Sequence, residues 1–402
     1  MASFVGATTV RIHEVGYDNR PPSRGEMSRM RHLVAKAMEE GAMGVGSSLI
    51  YAPAAFASTE ELIELCRVAA SCGGMYITHL RSEANRLLEA VEEAIGIARE
   101  AGIRAEIYHL KAAGPRNHSK LEKVIETIES ARKEGVDITA DMYPYTAAAT
   151  ALDATMPPWV QEGGLERWIE RLKNPDIRAR VVEEMRSDST EWENLLPLAG
   201  PENILLGGFE KRELAFLAGK TLAEVAKDRG RKAEETAVDL VTEDRSAVRA
   251  TFFLMSEDNV RTKIGLEWMS FGSDAESVAP EGVFLNRHPH PRAYGTFARL
   301  LGKYVREERI ISLEEAIRRL TVLPAENLRL KDRGCLKEGY KGDVVVFDPE
   351  AIRDNATYRD PHQYSTGVIH LFVNGVQVLK NGRHTGALPG RFVRGPGVKG
   401  GC

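Results

Sequence analysis

Cysteine is scarce in this chain. Its 402 residues hold four, Cys66, Cys72, Cys335 and Cys402. No two stand at the spacing of a zinc finger or of a Cys-x-x-Cys redox pair. That usage suits a reducing cytoplasm. Cys66 lies among Leu62, Ile63, Leu65 and Val68, so it reads as a buried thiol on the apolar side of a helix. Long apolar runs are lacking too. No stretch approaches the roughly 18 residues of a membrane-crossing helix, and the first residues carry no signal-peptide pattern. An excess of one charge sign is also missing: 54 basic against 58 acidic residues leave a formal charge of -4. Neither a nucleic-acid footprint nor an acidic tail is implied. The basic stretch from Lys227 to Lys232 reads as a solvated face. What remains is a chain able to bury a sizeable core, of a length that suits a large α/β barrel with an appendage.

The informative stretch is Met75-Tyr76-Ile77-Thr78-His79, followed by Ala105-Glu106-Ile107-Tyr108-His109-Leu110-Lys111. Each is a short β-prone run reaching a histidine, and Arg86 to Gly102 between them reads as a helix. A β-α-β unit of this kind sets two imidazoles side by side on one rim of a parallel sheet. A third strand, Trp268 to Asp274, ends in an aspartate. Two His and one Asp on one rim suit a divalent transition metal. Any one of them alone is more simply a satisfied polar residue at a strand end. The repeated placement is what favours a site.

In chain order, residues 4–12 read as a strand and Glu26 to Glu40 as a helix stopped by Gly41. Met43 to Ser48 reads as a strand, and Ser58-Thr59-Glu60-Glu61 as a capping box. A helix from Ser119 to Gly135 and a strand from Val136 to Asp141 complete a strand–helix alternation, which predicts right-handed crossovers and a parallel sheet. Residues 146–250 break the rhythm, with Ile204 to Leu206 as their one strand candidate, and read as an insertion over the strand ends. Strand character returns at Val248 to Leu254 and at Trp268 to Asp274. Helices are expected at Ala293 to Val305 and at Leu313 to Leu320. From Cys335 on, a strand at Val344 to Phe347 and a hairpin around Asn374-Gly375 predict a small β domain.

Several of these motifs together resemble one family. They are Ser48 to Pro53 with Tyr51, Ser58 to Glu61, Ile77 to Glu83, His109-Leu110-Lys111 and Asp141 to Tyr145. Phe271 to Asp274, His290 to Phe297 and Gly342 to Asp348 complete the set. The chain resembles the N-acyl-D-amino-acid deacylases (D-aminoacylases) of the metal-dependent amidohydrolase superfamily from about residue 3 to about residue 390. The resemblance implies a (β/α)8 TIM barrel with a small β-sandwich. It places a barrel over 1–330 with the insertion 146–250, a sandwich part over 331–395, and a flexible tail over 396–402. It implies that His79 and His109 bind zinc at the ends of barrel strands five and six, and that Asp274 at strand eight is the general acid/base. It places Lys111, Tyr51, Tyr143 and Arg292 on the substrate, a small N-acyl-D-amino acid, with Arg292 suited to its carboxylate. One zinc is expected, with a second left open. Neither a nucleic-acid nor a membrane partner is expected, and a homo-oligomer is left open. His288-Pro289-His290 has a ligand-like spacing but lies in a Pro-containing loop, so His290 reads as a brace for the Arg292 loop.

The resemblance also carries a departure. In the family, a His-x-His pair after strand one and a Cys after strand two complete the zinc site. Both lie upstream of the segment that residues 4–12 resemble, so the expectation is a barrel running from strand three to strand eight. A His that family members carry after the Val-Gly of strand three is Ala7 here. Two other readings stay open. One is a dipeptidase or cyclic amidase of the same superfamily, against which the Tyr143-Pro144-Tyr145 and Arg292 motifs weigh. The other is an inactive remnant with a structural role.

Overall fold

A computed structural model of the chain describes residues 1–187 and 191–399. Five strands open it: β1 (Val5–Gly6), β2 (Gly44–Ser48), β3 (Met75–His79), β4 (Arg104–Ile107) and β5 (Ile138–Met142). Three more, β6 (Ala147–Ala151), β7 (Ile204–Gly208) and β8 (Arg249–Phe253), precede β9 (Met269–Phe271). The first sheet has six parallel strands in the order β1-β2-β3-β4-β5-β9. All its strands therefore end on one rim. Parallel strands covered on both faces read as continuous apolar runs, and all five residues of β3 are buried. At Gly44 (φ +156) a Cβ would fall 1.8 Å from the Met75 carbonyl oxygen, so only glycine lets β2 lie so close to β3.

Helices α1 (Ala7–Glu14), α2 (Arg24–Glu40), α3 (Thr59–Ser71), α4 (Leu87–Ala101) and α5 (Lys120–Lys133) fill the crossovers. Their ends follow local chemistry. Ser23 and Glu26 form a capping box on α2, and Gly41 closes it in the left-handed conformation. Gly102 does the same for α4. The strand expected over residues 4–12 is corrected: only Val5–Gly6 is extended, and α1 follows at once. Thr8, Thr9 and Val10 are β-branched, but Ala7, Val10 and Arg11 recur at helical spacing and are all buried. Arg11 pairs with Glu61 of α3 at 2.5 Å, and this tertiary contact overrides the local preference.

The insertion makes a second layer. Strands β6, β8 and β7 form an antiparallel sheet, in that order. Helices α6 (Leu165–Lys173), α7 (Pro175–Arg186), α8 (Leu195–Ala199), α9 (Leu222–Arg229) and α10 (Ala233–Glu243) pack with it. Their apolar side chains form a hydrophobic cluster separate from that of the parallel sheet, with Phe252, Leu206, Val238 and Leu240 at its centre. The strand expected at Val248 to Leu254 exists as β8, but it pairs with β6 and β7 rather than joining the parallel sheet. Helix α11 (Glu257–Ile264) leads back to β9, and α12 (Arg292–Arg299) begins beyond it. The C-terminal part is a four-stranded antiparallel sheet, β10 (Val344–Phe347), β11 (Val368–Val373), β12 (Val376–Lys380) and β13 (Arg383–His384). Asn374 and Gly375, both at positive φ, make the expected hairpin turn. The tail expected over 396–402 starts with a 3-10 turn, Pro396–Lys399, against α2. Residues 400–402 lie outside the described residues. Among the described residues, no helix is long and apolar enough to cross a membrane.

Candidate active site

The rim of the parallel sheet carries the site. His79 is the last residue of β3 and is 8% exposed. His109 lies two residues past β4, at a left-handed φ of 36°. A non-glycine residue there is held by its surroundings. Asp141 of the neighbouring β5 accepts the His109 backbone N–H at 2.6 Å, and its carbonyl accepts that of Leu110 at 2.9 Å. The two imidazoles face each other edge to plane, 4.7 Å between ring centres, with His79 Nδ1 3.1 Å from His109 Nε2.

Glu83 joins them. Its Oε1 is 2.9 Å from His109 Nδ1 and accepts from Lys111 Nζ at 2.6 Å. Its Oε2 is 3.7 Å from His79 Nε2. Burial alone would raise the Glu83 carboxyl, but its neighbours, the Lys111 charge and the His109 hydrogen bond among them, outweigh it and hold it well below the usual carboxylate range. Burial pushes His79 down to about 3, so its imidazole is neutral and free to act as a ligand. His79, Glu83 and His109 are the one group of metal-competent side chains found among the described residues, with donor atoms within 4.8 Å of one another.

The other predicted residues converge on the same space. A cavity of about 200 Å³ is lined by Tyr51, His79, His109, Lys111, Tyr143, Asp274 and Arg292, all seven residues singled out in the sequence. Asp274 follows β9 at φ 47° and pairs with Arg292 at 2.6 Å. The Arg292 guanidinium lies 4.6 Å over the Tyr143 ring, and Lys111 Nζ 5.7 Å from the same ring. Among the described residues the buried Tyr143 hydroxyl has no hydrogen-bond partner, and burial pushes its pKa up, so it stays a proton donor. Tyr51 bonds the Thr150 hydroxyl at 2.8 Å. His290 braces the loop as expected. Its Nδ1 accepts the Arg292 backbone N–H at 2.9 Å, and its Nε2 is 3.0 Å from the Ala147 carbonyl. His288 turns away, to the Tyr358 carbonyl at 2.6 Å.

Two carboxylates in the cavity were not foreseen. Glu83 stands in a coil four residues after His79, where no periodicity marks it. Glu193, from the insertion, accepts from the Ser82 hydroxyl at 2.9 Å and from the Glu83 backbone N–H at 2.5 Å. Burial and the charge of Glu83 push its pKa up to about 7.

The residues fit a metal. Two imidazoles and a carboxylate are a nitrogen–oxygen set of the kind zinc takes. Among the described residues His79 Nε2 is buried without a hydrogen-bond partner, a cost that a ligand bond would remove.

Comparison with known proteins points to one family. The model of the amidohydrolase family matches residues 7–379. The chain is 32% identical over 392 residues to a D-aminoacylase of Alcaligenes xylosoxydans xylosoxydans, covering 98% of this chain and 69% of the relative. It is equally similar, 32% over 396 residues with the same coverage, to an N-acyl-D-glutamate deacylase of that organism. Among solved structures, the N-acyl-D-glutamate deacylase of Bordetella bronchiseptica, complexed with zinc and a phosphonate inhibitor that mimics the tetrahedral intermediate, superposes with a TM-score of 0.76. It is 30% identical, over 94% of this chain and 68% of that one.

Proposed function

The chain belongs to the amidohydrolase family, and from that premise we propose that it hydrolyses N-acyl-D-amino acids to a D-amino acid and a carboxylate with the help of one zinc ion. The observation that carries the reading is the single cavity that gathers His79, His109, Asp274, Lys111, Tyr143 and Arg292. The D configuration and the linear amide are taken from the named relatives.

His79 and His109 would hold the metal, with Glu83 as the carboxylate within reach. When bound, zinc supplies Lewis acidity, acidifying a water and polarising the amide carbonyl. Asp274 takes one proton from the attacking water as its oxygen bonds to the carbonyl carbon. The Tyr143 hydroxyl and Lys111 Nζ are donors for the negative charge that grows on the carbonyl oxygen. When the C–N bond breaks, Asp274 returns its proton to the leaving nitrogen. Arg292 binds the substrate carboxylate. Its present partner is Asp274, so bound substrate would share the guanidinium and loosen its hold on the acid/base.

The test uses purified protein loaded with zinc. Release of amino acid from N-acetyl-D-amino acids, with little or none from the L forms, is expected. Metal analysis should find about one zinc per chain. Protein that holds no zinc would overturn the ligand assignment, and turnover confined to cyclic amides would overturn the substrate class.

A further inference from the structure

A second chamber opens beside the metal cavity. It has about 190 Å³ and shares Ala149, Thr150, Asp274 and Arg292 with the first. Its wall comes from the insertion sheet. Along β8, Ala250 and Phe252 are buried in the insertion core, so by strand alternation Arg249, Thr251 and Phe253 face the other way. Opposite them, Ala151, Ala149 and Ala147 of β6 stand in register. Small side chains on that face leave the space open, and Arg249 stands at its end.

A second guanidinium is brought to the same place by backbone pairing. Gly208 of β7 pairs with Arg249 on one side and with Arg287 on the other. Arg249 and Arg287 therefore flank one glycine, on neighbouring strands about 5 Å apart on each side. The approach of the 287–288 segment depends on Gly207. A Cβ there would fall 2.9 Å from the His288 carbonyl oxygen, and the His288 N–H donates to the Gly207 carbonyl at 2.5 Å. Both arginines line the chamber. Of the carboxylates around the chamber, Asp274 is held by Arg292, and two others lie near Arg249 and Arg287. Glu276 is 3.7 Å from Arg287, but both are more than half exposed, so water keeps that pair weak. Arg249 has no ion-pair partner among the described residues, although its charge reaches the Asp153 carboxyl.

We propose that Arg249 and Arg287 form a subsite for a second carboxylate of the substrate, so that the enzyme prefers N-acyl-D-amino acids carrying an acidic group beyond the one that Arg292 takes. The inference rests on the deacylase reading. It adds to it which members of that substrate class are favoured and which residues choose them. The reasoning is one of charge and reach. Arg292 stands on the partition between the chambers, so a substrate whose carboxylate it holds extends its remaining group into one chamber or the other. A group entering the second chamber meets two guanidiniums whose planar N–H forks match a carboxylate. An apolar group there would strip water from an arginine and return no hydrogen bond.

The second carboxylate has two sources, the amino-acid side chain and the acyl group, and the test separates them. The zinc-loaded enzyme is assayed with N-acetyl-D-glutamate, N-acetyl-D-leucine and N-succinyl-D-leucine. Binding of each is also measured by calorimetry, in wild type and in Arg249→Ala and Arg287→Ala. In wild type, kcat/KM for N-acetyl-D-glutamate is expected to exceed that for N-acetyl-D-leucine. Each substitution should lower that ratio at least tenfold, mainly through KM. If N-succinyl-D-leucine shows the arginine-dependent gain instead, the subsite stands and faces the acyl group. If neither dianion gains over N-acetyl-D-leucine, or if the gain survives both substitutions, the proposal is overturned. Should no D-substrate be hydrolysed, the deacylase reading fails. Calorimetry then decides the subsite alone: tighter binding of a dianion that both substitutions abolish supports it, and equal binding in all proteins overturns it.

Discussion

At the scale of single residues, the roles proposed for two residues lining one cavity match different surroundings. His79 is neutral and buried, as a ligand should be. Asp274, with its side chain 40% exposed, stands at the open side of the cavity against Arg292. A proton carrier needs that access to water and to the leaving amine, and a structural metal ligand does not. Replacing Asp274 by Asn keeps the shape and removes the base. We expect kcat to fall by about 10²- to 10⁴-fold, the range for losing a positioned general acid/base, while zinc content stays unchanged. Equal loss of zinc and activity, measured by metal analysis on the same preparation, would make Asp274 a ligand instead. The histidines and Asp274 were legible because strand ends on one rim are a geometric consequence of alternating strands and helices. Glu83 was not. It closes the Ile77 to Glu83 motif but lies in coil, and nothing gives it a role until the fold sets it beside His109. Glu193 lies 110 residues from the backbone N–H it accepts, a distance that no local pattern spans.

At the scale of elements, the rim is held from beneath by a buried cation. Lys263 of α11 is 4% exposed and donates to the Leu110 carbonyl at 2.5 Å, just past His109. Burial, aided by the charge of Lys111, lowers its pKa to about 7. The unfolded chain would hold this proton up to roughly pH 10.4. Between those values the unfolded state binds more protons than the folded one, so stability rises with pH across the window. Below about pH 7 both states are charged and the full burial cost remains. Replacing Lys263 by Met removes the titration. Denaturant unfolding at about pH 6.5, 8 and 9.5 should show wild type gaining on the order of a few kcal/mol that the variant does not gain. Parallel slopes for the two proteins would show that Lys263 is charged in the fold. The same scale explains the misread first segment. Thr8-Thr9-Val10 favours a strand by local preference, and the buried Arg11–Glu61 pair decides otherwise. By contrast α2 and α4 follow their caps closely, because Ser23, Glu26, Gly41 and Gly102 act within one turn.

For the whole molecule, the cavity lies where two hydrophobic clusters meet. The parallel sheet supplies His79, His109 and Tyr143, and the insertion supplies Glu193, Leu195 and Thr150. Alternating strands and helices made the first layer legible. The second was visible only as broken rhythm, because its sheet joins β6 to strands some 60 and 100 residues away. Such long pairings are settled by packing rather than by local pattern. The arrangement has a thermodynamic consequence. A metal that binds the folded chain and not the unfolded one stabilises it by RT ln(1 + [L]/Kd), about 4 kcal/mol at a thousandfold excess over Kd. Dialysis against a chelator should therefore lower Tm by several degrees, and added zinc should restore it. In His79→Ala the proposed ligand pair is broken, so Tm should no longer respond to zinc over the same concentrations. A zinc-dependent Tm that persists in this variant would place the metal elsewhere. If wild type shows no response either, the gathered imidazoles would be a hydrogen-bonded polar network, their mutual contact at 3.1 Å already sufficient to hold the rim.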